Sequence, residues 1–341
     1  MDRKKDSGEN FGMETVELRR SDGEVIFSAS GTAMPEAEAD RKGFAFNAAL
    51  RSGVRDFRGL SLEGAVITFP MNVDFSSADF RGAVFESCTF FGNLTYMTFL
   101  DCTFRGCLFD SMNIIGCSLY QSEMSACEFR SLAMHSVSVV SARLSNCDGF
   151  DLSLNRGSFM NVSADGIHAT FSKGPVATGI TRCIFLGCSI DAPKAAELFF
   201  MDCCATRCDF HNTRIPMACP SEGSFVAWKK TIRQGGERPV CSDSPEAECL
   251  TKLLIPEDAR RSSSLGRKCR ASHAVVLGSW TIGKNGELGE PVYETVSMMS
   301  MRPVKYVTGE TVYADGFDPD RFNECSEGIH FFMDRDTAAS F

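Results

Sequence analysis

Residues 99–130 read FLDCTFRGCLFDSMNIIGCSLYQSEMSACEFR, with a large residue at every fifth position. These are Phe99, Phe104, Phe109, Ile114, Leu119, Met124 and Phe129. The series continues through Met134, Val139 and Leu144, and one residue out of step it precedes them as Phe75, Phe80, Phe85 and Phe90. Two positions before most of them stands a small residue: Ala78, Ala83, Cys88, Cys102, Cys107, Cys117, Ser122, Cys127 and Ala142. A period of five fits neither the 3.6 of a helix nor the 2.0 of a flat strand. A fixed long period is an architectural signal. It is satisfied when each pentad forms one short side of a square coil, with the large and small residues turned inward and the Asp, Ser, Thr, Asn, Arg and Gly positions outward. Coils stack at the spacing of paired strands, roughly 4.8 Å. The pattern from Phe57 to Ile215 thus predicts about eight coils of about 20 residues and a rod roughly 40 Å long.

These residues resemble the pentapeptide-repeat family, whose pattern is A-(D/N)-L-x-x. The matching triplets are Ala78-Asp79-Phe80, Cys102-Thr103-Phe104, Cys107-Leu108-Phe109, Cys117-Ser118-Leu119 and Cys208-Asp209-Phe210. The resemblance covers nearly half the chain and implies an all-β, right-handed quadrilateral β-helix.

The chain has 341 residues, a net charge of −9 and 43% hydrophobic residues. That length allows two or three domains. The acidic balance argues against direct nucleic-acid or anionic-membrane binding, which needs a basic field. No run of 18 apolar residues marks a membrane span, and MDRKKDSGEN lacks the apolar segment of a secretory signal. Of 16 cysteines, ten (Cys88, Cys102, Cys107, Cys117, Cys127, Cys147, Cys183, Cys188, Cys203 and Cys208) take the small inward position, where a free thiol acts as a compact hydrophobe. So many thiols suit a reducing compartment, and a cytoplasmic location is expected.

Taken in order, residues 1–56 read as a disordered start of about 12 residues, then a hairpin and a helix. Val16-Glu17-Leu18 and Val25-Ile26-Phe27 flank the turn signal Ser21-Asp22-Gly23. A helix is expected from Met34 to Ser52, capped by Thr32, with Pro35 in its first turn and Gly53 as its stop; Gly43 inside argues against it. Hairpin and helix would cap the open first coil; a helix read by a partner is the alternative. The β-helix spans 57–217, slipping near Pro70 and ragged over 145–182. There Asn155-Arg156-Gly157 and Lys173-Gly174-Pro175 look like turns, and a bulge or loop is expected to leave the rod between 160 and 182. The phase returns one residue late at Phe185, Ile190, Ala195, Phe200, Ala205, Phe210 and Ile215. Residues 218–249 read as a C-terminal cap, Phe225 to Lys230, and a linker from Gln234 to Glu248. Residues 250–341 read as a small α+β domain. Its expected strands are Leu250–Ile255, Ala274–Trp280, Val292–Met298, Lys305–Tyr306 and Ile329–Phe332, with a short helix over Asp334–Phe341.

In that domain, Leu254 to Arg270 and Asp318 to Phe332 resemble a domain of unknown function that follows pentapeptide repeats in proteins of bacteria, phages and large DNA viruses. The run Cys325-Ser326-Glu327-Gly328-Ile329-His330 is similar to a signature of a phage rapid-lysis family. The resemblance implies a phage or prophage setting and supplies no reaction. The Ile329–Phe332 strand with its following helix is loosely similar to part of an ADP-ribosyltransferase fold, without an acidic catalytic pattern.

Read chemically, Cys325 and His330 form a candidate nucleophile and base; the plainer reading is a turn with His330 bonded into the fold. Cys269, His273, Cys325 and His330 offer four zinc-type ligands, but without a Cys-x-x-Cys half. Arg260, Arg261, Arg267, Lys268 and Arg270 form a candidate anion site, unless the acidic run Asp315 to Glu327 neutralises them. His135, His168 and His211 fall at outward repeat positions. No cofactor is implied.

Two functions are weighed. One is a non-enzymatic scaffold that binds an unidentified protein through its C-terminal domain. The other is a group-transfer enzyme centred on Cys325 and His330, with the rod for targeting. Some pentapeptide-repeat proteins imitate DNA and bind gyrase. From Phe57 to Ile215 there are 15 acidic and 11 basic residues, a net of −4. That is mild beside duplex DNA, so no strong gyrase binding is expected.

Overall fold

The pentads build parallel ladders in the computed structural model. It describes residues 14–31, 34–69, 77–192, 198–201, 203–212, 215, 217–233, 248–283, 286–297 and 303–341. The Phe75, Thr32, Pro70 and Ala195 expectations, the disordered start and nearly all of the linker lie outside these residues.

The chain forms two compact units. The first comprises 1–180, 188–199 and 211–213. One of its faces stacks Leu60–Glu63, Val84–Glu86, Thr103–Arg105, Glu123–Ser125, Arg143–Ser145 and Ser163–Asp165 in parallel. A second stacks Thr98–Leu100, Ser118–Tyr120, Ser138–Val140 and Ser158–Met160. The remaining two sides share long strands that continue from one to the next, such as Thr89–Thr95, Leu108–Ile115 and Asp148–Asn155. Register partners such as Glu123 and Arg143 lie one four-pentad turn apart, as a four-sided β-helix requires.

Inside, phenylalanines stack between rungs. Phe57–Phe80, Phe85–Phe104 and Phe90–Phe109 have ring centroids 5.0, 5.1 and 4.8 Å apart with planes within 14° of parallel. Each buried ring contributes about 1.5–3 kcal/mol relative to exposure. The small column is equally ordered. Cys88, Cys107 and Cys127 donate their thiols to the carbonyls of Leu62, Phe85 and Phe104 at 3.3, 3.3 and 3.4 Å. All ten cysteines expected at the inward position are buried. Burial pushes the Cys102 thiol up to about 12 and raises that of Cys117.

Most described corners turn on a left-handed residue. Ser111, Gln121, Ala126, Ser131, Ser136, Ser141 and Asn146 have φ between 49° and 53°. This is the left-handed αL region, normally given to Gly or Asn. Each non-glycine corner is disfavoured by roughly 1–2 kcal/mol. The corner amides offset this by extending the ladders: Ser131 to Phe150 O at 2.9 Å, Ser136 to Asn155 O at 2.8 Å, Ser141 to Met160 O at 2.9 Å.

The dropped residue in the repeat has a structural cause. Phe90 and Phe109 pair only 19 positions apart, and the register shifts between Phe91 and Gly92. Gly92 takes φ +95°, and a Cβ there would lie 2.4 Å from the Phe69 carbonyl oxygen.

At the start, Thr15–Arg20 and Val25–Ser30 form an antiparallel hairpin, and Arg19 and Arg20 pair with Ser61 and Leu60. This covers the open edge of the first rung. The helix spans Glu38–Arg51, shorter than expected at its start; it has no side-chain cap, and Gly53 follows its end at φ +92°. Phe46 packs on Phe57, Phe69 and Phe80. Gly43 is there because the helix touches the sheet: a Cβ would sit 1.7 Å from Val66 O. The ragged stretch does not leave the ladder as a loop. His168–Val176 stays paired with Asp148–Asn155 through several register shifts, and its pairing with Ser189–Asp191 spans 21 residues, which explains the late phase.

The second unit comprises 181–187, 200–210 and 214–341. Two parallel rungs, Ile184–Leu186 and Cys204–Thr206, therefore belong with the C-terminal residues. Phe322 packs on Phe210 at 4.7 Å, and the Glu324 amide bonds Ala205 O at 3.1 Å. Phe225 to Lys230, expected to cap the coil, belongs instead to a sheet strand, Phe225–Arg233, paired with Glu248–Ile255. That antiparallel sheet runs in the order Leu288–Val292, His273–Ile282, Glu248–Ile255, Phe225–Arg233, Glu294–Val296 and Lys305–Val307, with Thr311–Tyr313 also paired to His273–Ile282. Thr251 Oγ1 joins Thr231, Ser279 and Thr295 in a buried hydroxyl cluster that pins the register. A small sheet joins Arg261–Ser263, Cys269–Ala271 and Ile329–Phe331. The helix is Arg335–Ser340, capped by Asp334.

Two substitutions test the corner account by denaturant midpoint. Ala126→Gly is expected to stabilise the first unit by about 0.5–1 kcal/mol by relieving its left-handed corner. Gly92→Ala is expected to destabilise it by at least about 2 kcal/mol.

Candidate functional site

The small sheet decides where the candidate residues point. Cys269 stands opposite Phe331, Arg270 opposite His330 and Ala271 opposite Ile329. Neighbouring side chains alternate between faces. Cys269 therefore joins the core with Phe331, while Arg270 and His330 share the other side.

Arg270 is 2% exposed and is held by main-chain oxygens: Nη1 donates to Asn323 O at 2.7 Å and Nη2 to Asp320 O at 2.6 Å. Burial lowers its pKa, against the nearby Asp318, Asp320 and Glu324 charges. It organises the loop that carries Cys325. Asp318 accepts from the Asp320 amide, Asn323 Nδ2 and Ser326 Oγ, and these bonds, that of Ser326 foremost, hold its carboxyl below the usual range. Arg321 fixes the same loop through Ser263 O at 2.9 Å and Ile215 O at 2.8 Å.

Cys325 is exposed, and Lys268 Nζ lies 3.7 Å from its Sγ. His330 sits deeper. Burial, then the charges of Lys268, Lys229 and Arg270, push its pKa down to about 3. Its Nε2 is buried without a hydrogen-bond partner among the described residues. Lys229 Nζ donates to His330 O at 3.1 Å, and burial brings that ammonium down to about 8. A ring held neutral by burial and surrounding cations is a weak proton acceptor near pH 7.

The anion-site candidates do not converge. Arg261 is tied to the carbonyls of Gly223, Pro256 and Glu257 at 2.6, 2.7 and 2.8 Å, over the Phe225 ring. Arg260 lies on Phe317, and Arg267 Nη1 reaches Thr337 Oγ1 at 3.1 Å. For Arg261 and Arg270 the expected neutralisation by the acidic run gives way to backbone carbonyls. Asp318 and Asp320 cap their own loop, so their oxygens are occupied locally. The zinc set is also divided. Cys269 is buried beside Cys219, and His273 Nε2 lies 3.3 Å from Asp258 with its ring stacked on Tyr313. Among the described residues no three ligand-type side chains gather into a metal site.

Sequence reasoning missed a second feature, one face of the large sheet. Val226, Leu254 and Val275 align across three strands, and Tyr313 pairs with His273 beside them. Val226 is 40% exposed, Leu277 42% and Tyr313 67%. The other face is closed by Ala227, Leu253, Ile255, Ala274 and Val276. Trp228 and Leu250 pack with Phe332 and Ala338, so the short helix covers one end of the row and leaves the rest open. The alternation in Phe225–Trp228 was the available signal.

Residues 215–338 match the model of a family of unknown function, DUF5758. The match starts earlier than the expected domain, as the strand Phe225–Arg233 requires. No curated protein matches the chain. Among solved structures, it is similar to HetL, a pentapeptide repeat protein involved in heterocyst differentiation regulation from the cyanobacterium Nostoc sp. strain PCC 7120. Identity is 13% over 50% of this chain and 91% of that one, with TM-score 0.23. QnrB1, a plasmid-mediated fluoroquinolone resistance protein, gives 18% identity over 48% of this chain and 85% of that one, TM-score 0.18. The tailspike protein of Acinetobacter phage vB_ApiP_P1 gives 10% over 82% and 84%, TM-score 0.18. Likenesses this slight carry no functional weight.

The depressed His330 pKa sets a pH dependence. Between its unfolded value of 6.5 and about 3, the unfolded chain binds the proton and the folded one does not. Stability is therefore full above 6.5 and falls on acidification through that window, by about 1.4 kcal/mol per pH unit at most. Denaturation of His330→Gln across pH 4.5–7 is expected to show a flatter slope than the unsubstituted protein.

Proposed function

We propose that this chain is a non-enzymatic protein-binding scaffold, a β-helical rod carrying a C-terminal recognition domain. The observation that carries the reading is the open row Val226, Leu254, Val275, Leu277 and Tyr313. Apolar surface left uncovered on a sheet marks a contact site for another protein, and aromatic anchors such as Tyr313 dominate such contacts. Lys252, which lies over the Trp228 ring, borders the row. It favours a partner with an apolar centre and a carboxylate at its rim.

The group-transfer alternative is weaker for a chemical reason. It needs His330 to take a proton from Cys325 near neutral pH, and the cations around His330 oppose that. The other arms of the reading rest on composition. A net of −4 along the repeats supports weak or no gyrase binding and no direct nucleic-acid contact. The many free buried thiols support a cytoplasmic setting. No helix among the described residues is long and apolar enough to cross a membrane. A phage or prophage source rests on the family resemblance alone.

The test is affinity capture from host lysate with the full-length protein and with Leu277→Asp and Tyr313→Ala. A protein retained by the unsubstituted chain is expected to fall at least about tenfold with either variant. Equal recovery with all three overturns this surface as the binding site.

A further inference from the structure

Of the fifteen described cysteines, thirteen are buried; Cys325 is exposed and Cys204 half-buried. These two meet. The Glu324 amide bonds Ala205 O at 3.1 Å, so the residues next to Cys325 and Cys204 share a backbone hydrogen bond. Two chains joined this way run roughly 5 Å apart, inside the roughly 4.4–6.8 Å Cα separation that a disulfide spans. The repeat explains why Cys204 is available. Its neighbour Cys203 takes the small inward position and is 2% exposed, which turns Cys204 outward.

We propose that Cys325 and Cys204 form a peroxide-responsive thiol pair, Cys325 reacting first and Cys204 resolving it to a disulfide. Three groups around the pair suit this chemistry. Lys268 Nζ, 3.7 Å from Cys325 Sγ, sets a positive charge beside an accessible sulfur, the environment of reactive thiols. Cys204 is the opposite case: burial, with the Glu324 carboxylate, pushes its pKa up to about 12, so it does not compete for the oxidant. Glu324 itself is 7% exposed, hydrogen-bonds the Cys204 thiol, and keeps a buried Oε2 with no hydrogen-bond partner among the described residues. An unpaired buried carboxylate oxygen is costly to keep; here it stands ready to accept the Cys204 proton.

In the first step the Cys325 sulfur attacks a hydroperoxide oxygen. The S–O bond forms, the O–O bond breaks, and water or an alcohol leaves with the thiol proton. In the second, Cys204 attacks the sulfenic sulfur. The S–S bond forms, the S–O bond breaks, and water leaves with the proton that Glu324 relays. Two thiols lose two electrons, and the hydroperoxide gains them. The product fastens the loop bearing Phe322 and Cys325 to the rung Cys204–Thr206.

The test uses the full-length protein with hydrogen peroxide, quenching by iodoacetamide and mass spectrometry of an unreduced digest. The peptide linking Cys204 to Cys325 is expected as the dominant cross-link. Cys204→Ser is expected to leave a dimedone-reactive sulfenic acid at Cys325, and Cys325→Ser to leave Cys204 as a free thiol. Lys268→Ala is expected to slow the reaction of Cys325 by about tenfold. Oxidation of Cys325 to sulfinic acid without the linked peptide overturns the proposal. So does Cys325 pairing mainly between chains, or a Cys325 rate unchanged in Lys268→Ala.

Discussion

At corners such as Ser131, Ser136 and Ser141 a residue is held at positive φ, and its amide bonds the carbonyl of the next rung. The rest of the first unit depends on this corner. Without the left-handed turn, a three-residue side could not redirect the chain, and the large residues would not return above one another. With it, Phe85 lands on Phe104 and Cys88 on Cys107 after every circuit. The local conformation is unfavourable for Ser, Gln or Ala, so the stack must supply the compensation. It does so through ladder bonds and ring stacking that exist only between rungs. A single coil has neither, which is why such folds need several repeats and terminal covers.

This coupling explains why the fold was legible. A large residue every five positions with a small one two places before it leaves a single inward arrangement, and the cysteines gave the same phase independently. The corners themselves were not legible, because Ser, Asn, Gln and Ala share the αL position with Gly and no one residue type marks it. Gly43 was legible only as an anomaly, and the phase slip only as a dropped residue. Gly43 weakened a helix, while Gly92 went unnoticed inside a broken period, and both turn out to be close backbone approaches.

The C-terminal unit was harder to read. Phe225-Val226-Ala227-Trp228 alternates, but its neighbours in the sheet come from distant parts of the chain, and isolated apolar runs do not announce partners. The arginines misled for a related reason. Acidic residues near in sequence suggested ion pairs, yet Asp318 is consumed by its own turn, and Arg261 and Arg270 tie loops together through carbonyls. Guanidinium groups used this way order the chain rather than hold a ligand. What keeps the His330 ring neutral was likewise invisible, since it follows from the sheet register and from Lys229, about a hundred positions away.

The functional reading joins these two halves. The repeat unit fixes rungs and has no clustered chemistry among its described residues, while the C-terminal unit leaves an apolar sheet face and two accessible cysteines. The most direct test of the whole account is the rung spacing. Spin labels at Glu123 and Ser163, outward positions two rungs apart on one face, should lie about 10–15 Å apart and show strong dipolar broadening in frozen solution. A separation beyond roughly 20 Å, more than four rung spacings, would contradict it.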